Sequence, residues 1–177
     1  MRLTDIPAVM AIERRAFPTA WSSGIYRREL TANPWSHYLV LRARKFALPP
    51  ILAYGGVWQM DRSGHIPTLA THPDFRRKKL ASYLLVHLLQ LAQELGCTEA
   101  TLEVRASNAA AQRLYLRHGF SYVGRRRGYY ANPVEDALIM TRSDLRREQL
   151  AAELAAVEEA VRAVWLAAPA DPEDTSG

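Results

Sequence analysis

Between Thr71 and Arg105 the sequence passes from a short apolar stretch through the turn His72-Pro73-Asp74-Phe75 to four consecutive cations, Arg76, Arg77, Lys78 and Lys79. A strongly apolar segment follows, with Leu80, Leu84, Leu88, Leu91 and Leu95 along one helical stripe, and after Gly96 comes a β-rich run from Ala100 to Arg105. Strand, basic turn, helix and strand make a crossover, so the two strands lie parallel and the connection is right-handed. The start of the helix leaves backbone N–H groups unpaired and carries the positive end of the helix dipole, which makes the turn an anion site before any side chain is counted. The four cations make phosphate the expected anion; taken alone, they are equally well a solvated basic face.

At 177 residues the chain suffices for one well-cored domain and is short for two. The expected division is a domain over 1–142, a helical extension over 143–168 and a disordered tail over 169–177. No stretch reaches the roughly 18 to 20 apolar residues of a membrane span. Met1-Arg2-Leu3-Thr4-Asp5 lacks the charged-then-apolar pattern of a secretory signal, so a cytoplasmic location with no membrane partner is expected. Cys97 is the single cysteine, which rules out a disulfide framework, and no Cys/His cluster has zinc spacing, so no metal is expected. Much of the net charge of +5 sits in two clusters, Arg76 to Lys79 and Arg125 to Arg127. They lie at turns without an RNA-binding aromatic motif, and direct nucleic-acid binding is not expected.

Taken in order, Thr4-Asp5 is the expected cap of a first helix through about Arg15, and Ser22 the cap of a second that Asn33-Pro34 ends. Tyr38 to Leu41 and Ile51 to Met60 read as antiparallel strands, and after the turn Asp61-Arg62-Ser63-Gly64 the chain returns as a strand over His65 to Thr71, with Pro67 removing one ladder donor. In Thr101-Leu102-Glu103-Val104-Arg105, alternation puts Leu102 and Val104 on one face and Thr101, Glu103 and Arg105 on the other, so a carboxylate projects from mid-strand. Asn108 can cap the next helix, which Gly119 stops. Phe120 to Val123 and Ala137 to Met140 are two further strands, and Arg125 to Asp136 between them, polar and aromatic, reads as a binding loop. Ser143 is the expected cap of a last helix over Asp144 to Ala168. Its seam of Leu150, Leu154, Val157, Val161 and Val164 either docks on the domain or pairs two copies, giving a monomer or a weak dimer.

Leu102 to Phe120 reproduces Leu-Glu-Val-Arg-x-Ser-Asn-x-x-Ala-x-x-Leu-Tyr-x-x-x-Gly-Phe. With Phe17-Pro18-x-x-Trp21-Ser22, Gly124-x-Arg126-x-x-Tyr129-Tyr130 and Glu135-Asp136-Ala137, it resembles the GNAT superfamily of N-acetyltransferases, and within it the RimI-type ribosomal-protein-alanine enzymes. The resemblance implies a mixed α/β fold whose sheet splays between its fourth and fifth strands to take acetyl-CoA. It implies a protein or peptide N-terminus, such as that of a ribosomal protein, as acceptor. The family's pyrophosphate loop, Q/R-x-x-G-x-G/A, falls on Arg76, Arg77, Lys78, Lys79, Leu80 and Ala81, with Lys79 where the family has its first glycine. Other positions it gives to the cofactor are Leu69, Ala70 and Thr71 before the loop and Ser82, Asn108, Ala111 and Tyr115 after it. It implies Glu103 as general base and Tyr115 as general acid, and Trp21, Tyr129, Tyr130 and Glu135 as acceptor-binding residues. Taken alone, Glu103 is a solvated strand carboxylate, Tyr115 a core aromatic and Asn108 an ordinary cap. Acetylation of a small amine or lysine, and a catalytically silent binding module with a degraded loop, are the competing readings.

Overall fold

The computed structural model describes residues 1–43 and 49–166. Helices α1 (Ile6–Ala16) and α2 (Ser23–Thr31) precede strands β1 (Ser36–Arg42), β2 (Ile51–Met60), β3 (Ser63–His65) and β4 (Leu69–Thr71). Then come α3 (Leu80–Glu94), β5 (Glu99–Arg105), α4 (Ala109–Arg117), β6 (Ser121–Ala131), β7 (Val134–Arg142) and α5 (Arg147–Leu166). The strands form one mixed sheet of order β1-β2-β3-β5-β7-β6, with β4 paired to β2 off that path.

Alternation along β2 explains how both faces are covered. Ala53 and Val57 pack with Leu84, Leu85, Leu88 and Leu89 of α3, whereas Tyr54 packs with Val9, Ile12 and Tyr26 of α1 and α2. Capping agrees with the sequence reading at two helices: Ser22 Oγ accepts from Ile25 N–H, and Asn108 Oδ1 accepts from Ala111 N–H at 3.1 Å. Gly96 and Gly119 end α3 and α4 at φ 88 and 77, a left-handed conformation that glycine takes without steric cost.

Four expectations need correction. The Asp5 carboxylate does not cap α1; it accepts from Arg2 N–H and pairs with Arg42 at 2.8 Å, and a 3-10 turn over Leu3–Asp5 leads into the helix at Ile6. The single strand expected from His65 to Thr71 is two, because Pro67 lies in the break between β3 and β4. The expected binding loop Arg125 to Asp136 is instead the body of the β6–β7 hairpin, turning at Asn132-Pro133, with irregular pairing between Tyr122 and Gly124 and between Arg126 and Tyr130. An edge strand faces water along most of its length, so a polar composition there does not mark a loop. Ser143 is not the cap of α5, which begins at Arg147 after Asp144 Oδ1 has accepted from Arg146 N–H.

The seam of α5 docks on its own chain. Leu150 is fully buried in the same core as α3 and β5, while Leu154, Val157, Val161 and Val164 are half-buried between exposed neighbours. Arg142, 3% exposed, anchors the helix by donating to both carboxylate oxygens of Glu153 at 2.9 and 2.7 Å and to the carbonyls of His118 and Asp144. Truncating Leu150 to Ala should cost about 2 to 5 kcal/mol, read as a lower denaturation midpoint in urea. The expected tail, 169–177, lies outside the described residues.

Candidate active site

β3 and β5 run parallel only from Ser63–Glu99 to His65–Thr101, followed by one further bond from Ile66 N–H to the Thr101 carbonyl at 2.8 Å. Beyond it β4 pairs with β2 and β5 with β7, so the strands carrying Thr71 and Glu103 diverge. A cavity of about 710 Å³ lies against α3 and α4, and a cleft of about 370 Å³ lies against β5 and the β6–β7 hairpin. Phe17 lines both, so the two spaces adjoin there.

Of the residues expected to hold a cofactor, Leu69, Ala70, Thr71, Arg76, Arg77, Lys79, Leu80, Ala81, Ser82, Asn108, Ala111 and Tyr115 line the larger cavity. Lys78 does not: its ammonium lies 5.3 Å from the Phe75 ring centroid and 4.7 Å from that of Trp165 on α5. Among the described residues, the backbone N–H groups from Arg77 to Ser82 find no protein acceptor, the expected state of a helix start that awaits an anion. Thr71 Oγ1 is buried on the same cavity with no partner among the described residues. Free amides, five cations (Arg76, Arg77, Lys79, Arg113 and Arg117) and an orphaned hydroxyl suit a long ligand with an anionic phosphate portion. Lys79 has φ 62 and ψ 4 and Arg77 has φ 63, so the loop takes left-handed backbone without glycine. That conformation costs a residue with a Cβ roughly 1 to 2 kcal/mol.

On the cleft side, Glu103 is 10% exposed and held from two directions. Arg126 approaches Oε1 at 3.2 Å and His65 Nε2 approaches Oε2 at 3.3 Å. Burial pushes the His65 imidazole below its usual range, against the pull of the Glu103 carboxylate, which favours a neutral ring beside the carboxylate. Trp21 and Trp58 stack at 6.3 Å on one wall, and Tyr129 and Tyr130 meet edge-on at 5.1 Å on the other. Both pairs are braced by charged neighbours. Glu13 and Glu29, both buried, accept from Trp21 N–H and the Trp58 indole N–H, and the Arg105 guanidinium covers the Tyr130 ring at 4.1 Å. Glu135, expected to touch the acceptor, is not in the cleft lining. Its carboxylate binds Arg105 at 3.1 Å and accepts from Ser107 N–H, tying β7 to the β5–α4 connection. Tyr115 is buried on the larger cavity, and that burial raises its phenol above the ordinary tyrosine value of about 10.

Residues 6–120, which span the loop, the divergent strands and the carboxylate, fit the model of the Acetyltransferase (GNAT) family. The chain belongs to that family. As a GNAT N-acetyltransferase it is 36% identical over 140 residues to the putative ribosomal protein bS18-alanine N-acetyltransferase of Bacillus subtilis (strain 168), spanning 79% of this chain and 90% of that one. It is 34% identical over 142 residues to the ribosomal protein bS18-alanine N-acetyltransferase of Escherichia coli (strain K12), spanning 79% and 92%. The crystal structure of the ribosomal-protein-S18-alanine N-acetyltransferase from Escherichia coli superposes with a TM-score of 0.70 at 31% identity, covering 80% of this chain and 88% of that one.

Sequence reasoning missed three residues at or beside this cleft. His65 reaches Glu103 because β3 and β5 pair in parallel with His65 opposite Thr101, a register that no local pattern announces. Trp58 sits at the half-exposed end of an otherwise buried strand, and its placement beside Trp21 needs the packing of α2 on β1 and β2. Arg126 was legible as one of a basic cluster and as a position of the Gly124-x-Arg126 stretch, but its ion pair with Glu103 follows from the hairpin being strand.

Proposed function

We propose that this GNAT enzyme acetylates the α-amine of a protein N-terminus, with acetyl-CoA held in the larger cavity and the acceptor in the aromatic cleft. The observation that carries the reading is the largely enclosed Glu103 carboxylate, set in an aromatic cleft that adjoins the phosphate-ready cavity at Phe17. The names of the bacterial relatives, ribosomal protein bS18-alanine N-acetyltransferase and its putative counterpart, support the same acceptor class.

Backbone amides from Arg77 to Ser82, with Arg76, Arg77 and Lys79, would hold the pyrophosphate, and Asn108 and Ala111 the cavity wall beside it. Acetyl-CoA supplies an activated thioester and a thiol as its leaving portion. Glu103 accepts a proton from the acceptor ammonium, leaving a neutral nitrogen able to form the new N–C bond. Arg126 and His65 fix the carboxylate in place for that transfer. Tyr115 donates the phenolic proton that neutralises the departing sulfur; the acylated nitrogen then sheds its second proton, which restores the phenol, while the proton held by Glu103 passes to solvent. An α-amine suits a single carboxylate base: with pKa about 7.7 to 8, its deprotonation at pH 7 costs about 1 to 1.4 kcal/mol, against about 4.6 for lysine. The facing tyrosine and tryptophan planes suit an extended peptide, offering flat contact area together with hydroxyls for backbone groups.

Mass spectrometry after incubation with acetyl-CoA and three acceptors tests the reading. A peptide with a free N-terminal alanine should gain one acetyl group, while an N-blocked peptide bearing lysine and a small polyamine should not. Equal or faster acetylation of either of the latter would reassign the acceptor. An absence of CoA binding at millimolar concentration by calorimetry would leave the silent-module reading.

A further inference from the structure

We propose that Trp165 is a positioning residue for the phosphate loop: from α5, beyond the stretch matched by the family model, it holds Lys78 between two left-handed residues and so presets the loop amides. This rests on the acetyl-CoA reading of the larger cavity.

Arg77 and Lys79 both carry positive φ without being glycine. Backbone of that kind persists only where its surroundings over-determine it. Lys78, the residue between them, is the one of the four loop cations that does not line the cavity, and its ammonium lies over two aromatic rings. Those rings, Phe75 and Trp165, stack on each other at 6.1 Å with their planes 19° apart. The loop is thereby gripped from two elements. Trp165 holds the Lys78 end, while on the other side Arg15 of α1 pairs with Asp74 at 2.7 Å and His72 meets Phe75 edge-on at 5.6 Å. Trp165 itself does not line the cavity, whereas Phe75 does. Any effect of Trp165 on a ligand therefore passes through Lys78 and Phe75. The helix presenting it is fixed at its far end by buried Leu150 and by the Arg142–Glu153 pair, so the tryptophan is delivered by an anchored element. A loop lacking the glycine that would take this shape freely is instead held in it by a packed helix.

The experiment is a calorimetric titration of CoA into the full chain and into Trp165→Ala, Trp165→Phe, Lys79→Gly and the double variant Trp165→Ala/Lys79→Gly. Steady-state kinetics with acetyl-CoA and the alanine peptide accompany it. Trp165→Ala should raise the CoA Kd by about five-fold, the scale of a partly exposed cation–π contact. Its kcat at saturating acetyl-CoA and its KM for the peptide should stay unchanged. Trp165→Phe keeps an aromatic face and should remain within about two-fold of the native Kd. With glycine at 79 the left-handed backbone no longer needs holding, so the Trp165→Ala effect should fall below about two-fold in that background. An unchanged Kd in Trp165→Ala, or an equal loss in both backgrounds, would overturn the proposal. A tighter Kd would also overturn it, showing that Trp165 withholds Lys78 from the ligand. If the native chain itself binds no CoA, the reading of the cavity falls, and this proposal falls with it.

Discussion

Replacing Glu103 by Gln should lower kcat by about 10²- to 10³-fold, the contribution of a positioned general base. The amide keeps the shape and the acceptor oxygen of the carboxylate but cannot hold the proton of an ammonium. Arg126 loses its partner in this variant, yet it is 56% exposed, so the lost ion pair contributes little to stability. The decrease should therefore appear with the denaturation midpoint almost unmoved. CoA affinity should also be unaffected, because Glu103 lines the acceptor cleft and not the larger cavity. The measurement is the peptide acetylation rate at saturation of both substrates. A native rate would remove Glu103 from the proton path and leave it as the anchor of Arg126 and His65.

Tyr115→Phe should lower kcat by about 10²-fold while changing the CoA Kd by less than about two-fold. Phenylalanine preserves the ring that packs at 5.6 Å against Phe120, so the variant deletes a hydroxyl and leaves the core filled. The pH dependence has a definite sign. Tyr115 must be protonated to act as an acid, and burial, with the neighbouring Tyr130 as a smaller cause, raises its phenol above the ordinary value near 10. Activity from this group is then complete at neutral pH and lost only above that value. The kcat/KM profile should rise through the acceptor's own pKa of about 7.7 to 8 and show no fall below pH 10. A descending limb near pH 8 or 9 that disappears in Tyr115→Phe would contradict the assignment of its environment.

The parts of this site that were legible are those set by local rules. The helix α3 follows from its leucine stripe, β5 from its alternation, and the Ser22 and Asn108 caps from a side-chain oxygen three residues before a free amide. The anion site is a property of one turn and one helix start, and it was visible without any partner element. What escaped depends on tertiary pairing. The β6–β7 hairpin hid behind its own polarity, because an edge strand in water carries the composition of a loop. Glu135 and Lys78 have the right residue types in the right stretch. Their side chains turn to Arg105 and to Trp165 because elements distant in the chain are folded beside them. The left-handed backbone at Lys79 is announced only by the resemblance, which puts a glycine at that position; the lysine itself does not advertise it.

The burial of Arg142 carries a consequence for how this chain could ever be shortened. Its guanidinium is held between the His118 carbonyl at the end of α4 and α5, and Glu153 on that helix is its counter-ion. Cutting the chain after β7 would expose the apolar surface that Leu150 covers and would strip the arginine of its neutralising carboxylate. A shortened version that kept Arg142 would have to find another anion for it. The simpler route pairs loss of the helix with replacement at 142, so residue 142 and the helix are expected to be gained and lost together, as a lock and its bolt.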